Sequence, residues 1–410
     1  MKESNKKSFL QGVLAGILGC LVLLLVFYGV GKFFFGGIGI ITGRQVEALG
    51  KNSYQNLNKL AIIHEKISQE FMENVEDETI LDGMYKGMLE SLDDPYSRYY
   101  TQEEYAELNE SNSGSYCGIG ALVAQDSKTG KVYIVEAYEG GAAKEAGIVA
   151  GDSITKVNGK SVKKEELTDV VERMKGKEGT TVEIEFYIAK SKTYQTFTME
   201  RRNVEVPSVE YQMLEDNVGY IQVSGFKETT ANQFSEALDK LEKKNMKGLI
   251  IDLRDNGGGL LDSVVDMMSR ILPEKKEIVS VKDKNGKGTI YFSKDDKTFD
   301  KPLVILVNEN TASASEVFAG AVQDYKLGKL VGTTTFGKGI VQTVMGLFDD
   351  SAIKLTTAKY YTPNGRNIHK IGLEPDIEVE LDEKLQQKGF YSMDEDNQLQ
   401  KGIQILQNML

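Results

Sequence analysis

Residues 302–325 read PLVILVNENTASASEVFAGAVQDY and decide the fold of this chain. The first six residues form a short apolar run, which is typical of a buried strand, and Asn308-Glu309-Asn310 then turns the chain. Helical spacing follows from Ala312 to Tyr325. The stretch therefore predicts a strand, a turn and a helix. Ser313 would lie at the start of that helix, where the N-terminus favours negative charge.

A lysine lies between two glycines in the string FGKGIVQ, residues 336–342, on a segment predicted to be a strand. A serine needs a base before it can attack a carbonyl, and a desolvated lysine can be that base. The chain has only two histidines, His64 and His369, so a serine–histidine–aspartate triad has few candidates. The composition therefore favours chemistry between Ser313 and Lys338.

Simpler interpretations exist for both residues. Ser313 by itself would more often be an N-cap than a nucleophile, and a lysine flanked by glycines is usually a solvated loop residue. The catalytic interpretation is favoured by the strand–turn–helix unit in which the serine lies.

A second strand-to-helix unit is found in GLIIDLRDNGGG, residues 248–259, which is followed by apolar residues at helical spacing. Three glycines after a strand let backbone N–H groups approach a ligand closely. A phosphate loop is disfavoured because no Walker lysine and Ser/Thr follow. On their own the glycines are more simply a tight turn, but beside Ser313 they predict an oxyanion hole, with the N–H of Ala314 as the other donor.

Four stretches of the sequence resemble the carboxy-terminal processing, or tail-specific, proteases: residues 248–259, 308–324, 332–342 and 360–379. Members of that family are serine–lysine endopeptidases with a crotonase-like core and a PDZ domain. The resemblance implies that Ser313 is the nucleophile and Lys338 the general base. It also implies accessory roles for two further residues, Glu316 and Gln342.

Two details of this resemblance concern spacing and composition. Gln342 lies four residues after Lys338, so the strand period predicts that both face one side. Gly257 stands where many relatives have proline, which leaves open whether Gly258 or Gly259 supplies the oxyanion N–H.

Residues 113–199 resemble a PDZ domain, on the strings YCGIGALV (116–123), GDSI (151–154) and VNGK (157–160). Gly118-Ile119-Gly120 would be its carboxylate-binding loop, which holds a peptide C-terminus while the peptide adds a strand to the sheet. The apolar side chains of Ile119 and Leu122 favour an apolar terminal residue in the ligand. The alternative is an ordinary small β-rich domain with turn glycines.

The N-terminal sequence predicts a membrane anchor. Lysines in residues 1–8 precede an apolar run over residues 9–31, which is long enough to span a bilayer. The positive flank predicts a cytoplasmic N-terminus and an extracytoplasmic remainder. A cleaved signal peptide is the alternative, and the length of the apolar run disfavours it. Cys20 would be a buried membrane cysteine, and with Cys117 as the only other cysteine no disulfide framework is expected.

Length and charge agree with this organisation. The 410 residues leave room for an anchor and two or three domains. With 49 basic and 61 acidic residues the formal net charge is −12, which argues against nucleic acid or anionic lipid as the main partner. Two distant histidines and two distant cysteines form no recognisable metal cluster, so neither a metal nor a cofactor is expected.

Helical spacing predicts a helical region over residues 45–110, interrupted by DDPYSRYY at 93–100. This string resembles a family signature, and a turn that docks aromatics explains it as well as a functional role does. The protease core is predicted over 204–380. The segment 381–410 has apolar residues at helical spacing, as expected of a packing helix, a dimer helix or a frayed tail. In relatives the helical region can mediate dimerisation, so a homodimer is a further expectation.

The expected fold is α/β and β-rich, with several domains. It comprises a crotonase-like α/β protease core, an inserted PDZ domain, an N-terminal helical region and one transmembrane helix. The expected function is a membrane-anchored, extracytoplasmic serine endopeptidase that recognises the C-terminal tails of protein substrates through its PDZ domain. A membrane-tethered PDZ adaptor with a silent core is the alternative, and the intact pair of Ser313 and Lys338 argues against it. Acyl-thioester chemistry on a crotonase-like core is a third hypothesis, which the peptide-binding module disfavours.

Overall fold

A computed structural model describes residues 52–294, 299–388 and 391–410. The predicted membrane helix at 9–31 and the cysteine at position 20 lie outside these ranges. Among the helices described, none is both long and apolar enough to cross a bilayer. The chain divides into two compact units, and the boundary falls between Met84 and Tyr85.

Helix α1 (Ser53–Glu70) belongs to the first unit, and α2 (Asp77–Glu90) crosses the boundary. Of the apolar residues at helical spacing in α1, Leu57, Leu60 and Ile63 are exposed, and Ile67 is half-buried. The apolar face that the sequence predicts is therefore present, but its side chains remain accessible to solvent.

The second unit begins with a short link made of β1 (Arg98–Tyr100), α3 (Gln102–Ser113) and β2 (Ser115–Gly118). A capping box starts α3: the Glu104 N–H donates to Thr101 Oγ1, and the Thr101 N–H donates to the Glu104 carboxylate. Gly114 ends the helix with a φ of 71°, a left-handed conformation that glycine adopts without steric cost.

A small antiparallel β-sheet follows, in the order β3-β4-β5-β7-β8, with the short β6 against β5. Its helices are α4 (Ala142–Glu145) and α5 (Leu167–Met174). Apolar residues such as Val132, Ile134 and Phe186 alternate inward and form its own core. The strands are β3 (Ala121–Gln125), β4 (Val132–Ala137), β5 (Ser153–Val157), β6 (Lys160–Ser161), β7 (Thr181–Ile188) and β8 (Thr193–Glu200). Strand β3 lies at the edge of this sheet, and β9 (Arg202–Glu205) returns to pair with β2.

The largest part of the unit is a six-stranded sheet in the order β10-β11-β12-β15-β16-β19, parallel except for β10. Its strands are β10 (Val209–Met213), β11 (Val218–Val223), β12 (Gly248–Asp252), β15 (Leu303–Val307), β16 (Lys329–Gly332) and β19 (Ile377–Glu378). Its helices are α6 (Thr230–Lys243), α7 (Leu261–Ser269), α8 (Ala314–Asp324), α9 (Glu383–Lys388) and α10 (Asn397–Met409). Every residue of β12 and β15 is buried, which explains their continuous apolar sequences.

Both faces of this sheet are covered. The larger core cluster includes residues of α6, α7 and α8, such as Phe234, Val264 and Phe318. On the opposite face, Leu399 and Leu406 of α10 pack with Ile250 and Val304. The C-terminal segment is therefore a packing helix in this structure.

A second, antiparallel sheet contains β13 (Glu277–Asp283), β14 (Gly288–Phe292), β17 (Ile340–Gly346) and β18 (Ala352–Tyr361). Strand β1 completes it by pairing with the start of β18, so that Arg98 lies opposite Lys354. Residues that precede the small β-sheet domain are thereby part of the sheet that adjoins the candidate site.

Candidate active site

Ser313 lies between β15 and α8, at the N-cap position of the helix. Its φ of 58° and ψ of −116° are unusual for a residue with a side chain, and surrounding contacts must hold such a conformation. The Ser313 N–H donates to Glu316 Oε2 at 2.8 Å, and its carbonyl oxygen accepts from the Tyr360 hydroxyl at 3.2 Å. The sharp strand-to-helix turn that the sequence predicts is therefore present, with the serine at its tip.

Glu316 connects this turn to the segment that carries the lysine. Its carboxylate is completely buried and accepts from the backbone N–H groups of Ser313, Gly337 and Lys338. The Thr335 hydroxyl donates to Oε1 at 2.6 Å. Burial raises the pKa of Tyr360, and the charge of Glu316 raises it further, so the Tyr360 phenol stays protonated and also faces this carboxylate.

The prediction that Lys338 lies on a strand is wrong, because β17 begins only at Ile340. Both flanking glycines are required by close approach to a neighbouring loop. A Cβ at position 337 would lie 2.8 Å from the Gly372 N atom, and one at position 339 would lie 2.5 Å from the His369 N atom. The pairing of β17 with β18 also shifts register between Val341 and Gln342. The strand-period argument for a shared face of Lys338 and Gln342 therefore does not apply.

The Lys338 side chain is half-buried, and its Nζ lies 4.5 Å from the centroid of the Tyr96 ring. Burial lowers the pKa of Lys338, and the positive charge of Lys354 lowers it further, while Asp94 and Glu316 act in the opposite direction. A lowered pKa increases the fraction of neutral amine near physiological pH, which is the form that can accept a proton.

The glycine loop after β12 lies directly against the serine. A Cβ at Gly258 would lie 2.8 Å from Ser313 Cβ and 2.9 Å from the Ala314 N atom. The Gly258 N–H donates to Asn256 Oδ1 at 2.9 Å. In the described part of the chain, the N–H groups of Gly259 and Ala314 have no acceptor. This arrangement favours Gly259 over Gly258 as the partner of Ala314 in an oxyanion hole.

A small cavity of about 170 Å³ adjoins Ser313. Gly259, Ala314 and Gln342 line it near the serine, and its remaining lining residues are mostly apolar: Leu260, Leu261, Val317, Ile340, Val341 and Tyr360. The Gln342 Nε2 donates to Thr356 Oγ1 at 3.3 Å. Gln342 therefore lines the cavity beside Ser313, although the strand period from Lys338, on which the sequence prediction rested, does not explain its position.

A separate groove of about 340 Å³ lies along the edge of the small β-sheet domain, and residues of β3, α5, α3 and β2 line it. Gly118 and Ile119 line it, and the Tyr116 hydroxyl faces the Gly120 backbone N–H and accepts the Ala121 N–H at 2.8 Å. Gly120 has a φ of 76° and passes so close to Gly141 that a Cβ would lie 2.5 Å from its Cα. The loop therefore has the tight backbone path that an incoming carboxylate needs, with the Tyr116 hydroxyl beside it.

Several residues of the site were not assigned from the sequence. Asn256 is completely buried and holds the glycine loop, since its side chain donates to the Val223 carbonyl and accepts from Gly258. Thr335, Tyr360 and Tyr96 reach the site from distant segments. All four lie inside strings that resemble the family, but no role was assigned to any of them from the sequence.

The family models that match this chain agree with this arrangement of a peptidase core and a PDZ domain. The model described as "Peptidase family S41" matches residues 217–379, "PDZ domain" matches 133–188, and "Activating protease CtpB N-terminal domain" matches 41–104. The three matches fall, respectively, on the large core, the small β-sheet domain and the N-terminal helices.

Relatives extend the similarity over most of the chain. It is 38% identical over 381 residues to the carboxy-terminal processing protease CtpA of Bacillus subtilis (strain 168), covering 93% of this chain and 78% of that relative. Identity to the carboxy-terminal processing protease CtpB of the same organism is 33% over 405 residues, with 93% and 84% covered. The chain therefore belongs to the carboxy-terminal processing proteases of peptidase family S41, as the sequence resemblance predicts.

A solved structure supports the fold. The putative S41 protease from Bacteroides fragilis NCTC 9343 has a TM-score of 0.51 and 17% identity, and the similarity covers 85% of this chain and 97% of that one. The mixed α/β, multidomain architecture with a PDZ domain is thus confirmed.

Proposed function

We propose that this protein is a serine endopeptidase that uses Ser313 as its nucleophile and Lys338 as its general base. The observation that carries the proposal is the shared acceptor: Glu316 Oε2 accepts the N–H of Ser313 and the N–H of Lys338, each at 2.8 Å. A single buried carboxylate therefore holds the two backbone segments in one site. The lowered pKa of Lys338, caused first by burial, supports its role as the base.

The reaction would proceed in two halves. Neutral Lys338 takes the proton of Ser313 Oγ as that oxygen attacks the scissile carbonyl, and the N–H groups of Gly259 and Ala314 bind the resulting oxyanion. The lysine ammonium then gives its proton to the leaving amine, which produces an acyl-enzyme. Water attacks this ester with Lys338 again as base and releases the new C-terminus.

The substrate would be a protein with an accessible, extended C-terminal tail. The tail would add as a strand to the edge of β3, and its carboxylate would bind at the Gly118-Ile119-Gly120 loop. The exposed side chain of Leu122 and the buried Ile119 support an apolar terminal residue. The cavity of about 170 Å³ beside Ser313 would accept a small or medium apolar side chain at the cleaved bond.

The proposed location is the outer side of a membrane, with a single span at residues 9–31 and a cytoplasmic N-terminus. The apolar run and the lysines before it support this topology. A reporter that is active only outside the cytoplasm, fused after Leu410, should be active, and one that works only inside should not. The reverse pattern would contradict the topology, and a mature N-terminus beyond residue 31 would indicate a cleaved signal peptide instead.

A homodimer is proposed on the exposed apolar residues of α1, of which Leu57, Leu60 and Ile63 lie at helical spacing. An apolar helical face is commonly covered by a partner. Light scattering of the full chain in detergent should give twice the protomer mass, whereas a variant with these three residues changed to Ser should give the protomer mass.

The decisive test of the proposed activity is Ser313→Ala. Incubation with an unstructured protein that ends in apolar residues should give new C-termini by mass spectrometry with the wild type and none with the variant. An unchanged rate in the variant would show that the nucleophile is misassigned. Tail binding without cleavage by the wild type would instead favour the adaptor with a silent core.

A further inference from the structure

The string DDPYSRYY forms a turn that docks beside the candidate active site. Within the turn, Ser97 Oγ donates to Asp94 Oδ2 at 2.6 Å and the Tyr96 N–H donates to Asp94 Oδ1 at 3.2 Å. Strand β1 starts directly afterwards and pairs with β18. The turn is therefore fixed at one end by its own aspartate and at the other by the sheet.

From this position the turn contacts Lys338 directly and is linked to Gln342 through Thr356. The Tyr96 ring centroid lies 4.5 Å from Lys338 Nζ. The Thr356 N–H donates to Ser97 Oγ at 3.0 Å, and Thr356 Oγ1 in turn accepts from Gln342 Nε2 at 3.3 Å. One short turn thus adjoins the candidate base directly and the accessory glutamine through a single residue.

We propose that Tyr96 is a positioning residue for Lys338, whose ring covers the amine, excludes water from it and keeps Nζ in the site. The proposal rests on the proposed function, because it assigns Tyr96 a role only if Lys338 is the base. Tyr96 itself exchanges no proton and contacts no substrate atom in the proposed reaction. It acts through the lysine by a cation–π contact and by occupying the space that water would otherwise fill.

The ring has two effects on the lysine, and they oppose each other. Excluding water disfavours the ammonium, whereas the π-face favours it. Other charged groups also face Lys338: Asp94 from the same turn, Lys354 from β18 and Glu316 from α8. These groups stay in place when only the ring at position 96 is changed, so a series of substitutions at this position separates the two effects.

The test measures kcat/KM against pH for the full chain with the p-nitrophenyl ester of N-acetyl-alanine, which does not require capture of a protein tail. Tyr96→Phe keeps the ring and should leave the profile unchanged. Tyr96→Leu keeps most of the cover but removes the π-face, so the rising limb should move to lower pH by about half a unit. Tyr96→Ala removes the π-face and also admits water, so its limb should lie at higher pH than that of Tyr96→Leu by about half a unit, a rate about threefold lower on that limb.

Tyr211→Leu is the matched control, because the Tyr211 ring also faces a lysine, with Lys240 Nζ 5.6 Å from its centroid, and has no role in the proposed site. Its profile should equal that of the wild type. A limb at lower pH than the wild type in Tyr96→Leu, together with a limb in Tyr96→Ala at higher pH than in Tyr96→Leu, supports the proposal. If the turn were purely structural, both variants would have a lower rate and the rising limb of their pH profiles would stay in place. That result would overturn the proposal, and so would two unchanged profiles.

The failure of this inference can be distinguished from failure of the proposed function. If Lys338→Arg abolishes hydrolysis while the limb is the same in all Tyr96 variants, Lys338 remains the base and only the role of Tyr96 is wrong. If Lys338→Arg retains the wild-type rate, the assignment of the base itself fails, and the positioning role of Tyr96 fails with it.

Discussion

The carboxylate of Glu316 accepts the backbone N–H of Lys338, with 2.8 Å between Oε2 and the nitrogen. Water cannot substitute for this contact, because the Glu316 side chain is completely buried. The same carboxylate accepts the N–H of Ser313, so one side chain sets the separation between the helix that carries the serine and the loop that carries the lysine.

Glu316→Gln should impair both stability and activity. The amide places an NH₂ group where a carboxylate oxygen now accepts N–H donors, and an unsatisfied buried donor costs about 1–3 kcal/mol. We expect a fall of this size in the free energy of unfolding, measured with denaturant, and a large loss of peptide cleavage. Glu309→Gln is the control, since Glu309 is exposed and its carboxylate accepts from the Thr333 hydroxyl. Equal effects of both substitutions would contradict the role of Glu316.

Lys338→Arg should be nearly as inactive as Lys338→Ala, with losses of at least about 100-fold in kcat. Arginine keeps the positive charge but cannot lose its proton near neutral pH. Lys329→Arg, at an exposed position of β16, should retain full activity. A Lys338→Arg variant with the activity of the wild type would exclude lysine as the base.

The pH dependence of the wild type follows from the same lysine. Burial, and next the charge of Lys354, lower the pKa of Lys338 below its usual value. The amine is the active form, so kcat/KM should rise as pH increases through this lowered pKa, at a pH below the range where lysines usually titrate. A profile that is flat from neutral to mildly alkaline pH, with chemistry rate-limiting, would count against this assignment.

Gly120→Val should weaken the capture of protein tails more than bond cleavage. The substitution puts a β-branched side chain at a φ of 76° and against Gly141, which distorts the loop that presents the N–H groups. Cleavage of a protein with a free apolar C-terminus should fall about tenfold or more, as expected if several hydrogen bonds to the carboxylate are lost. Hydrolysis of the short ester should fall much less.

Gly130→Val is the control for strain in the same domain, because Gly130 also has a positive φ but faces open space. Equal loss in both assays for Gly120→Val would mean that tail binding switches the catalytic site on. If neither assay changes in the folded variant, the groove beside β3 is not the substrate receptor.

Arg254→Met should destabilise the core by about 3–5 kcal/mol, because it leaves two carboxylates buried without their cation. Arg254 Nη2 lies 2.6 Å from Asp252 Oδ2 and 2.7 Å from Asp396 Oδ2, and neither aspartate is more than 4% exposed. Burial alone would lower the pKa of Arg254, but the hydrogen bonds and charges of the two aspartates hold it above its usual value. Denaturant unfolding should detect the change.

Lys294→Met provides the comparison, since its ion pair with Asp266 has a similar distance of 2.6 Å but both side chains are largely exposed. Its loss should cost less than about 1 kcal/mol. A similar cost for both substitutions would show that burial does not govern the strength of these pairs here.

The strand, turn and helix of residues 302–325 could be predicted because the signals are local. A continuous apolar run marks a strand that is buried on both faces, and β15 is buried at every position. The turn and the helical spacing then place Ser313 at the helix start, where it is found. The glycines after β12 likewise lie where their sequence indicates, against the serine.

The surroundings of Lys338 could not be predicted from local pattern. Two glycines beside a residue give no indication of whether they belong to a strand or, as here, allow contact with the backbone of residues 368–372. The donors to Glu316 are brought together by packing between segments that no periodicity connects. Tyr96 reaches the lysine only because β1 pairs with β18, and Ser97 and Thr356 are 259 residues apart in the chain.

The pairing of β1 with β18 also sets a limit on how the protein can be shortened. A form that starts after Tyr100 would leave the backbone of Ala352, Ile353 and Lys354 without the partner it has in β1. Unpaired strand edges of this kind recruit strands from other molecules, so such a form should aggregate even if its PDZ domain and parallel sheet fold correctly. Preparations intended for crystals or assays therefore need to begin upstream of Asp94.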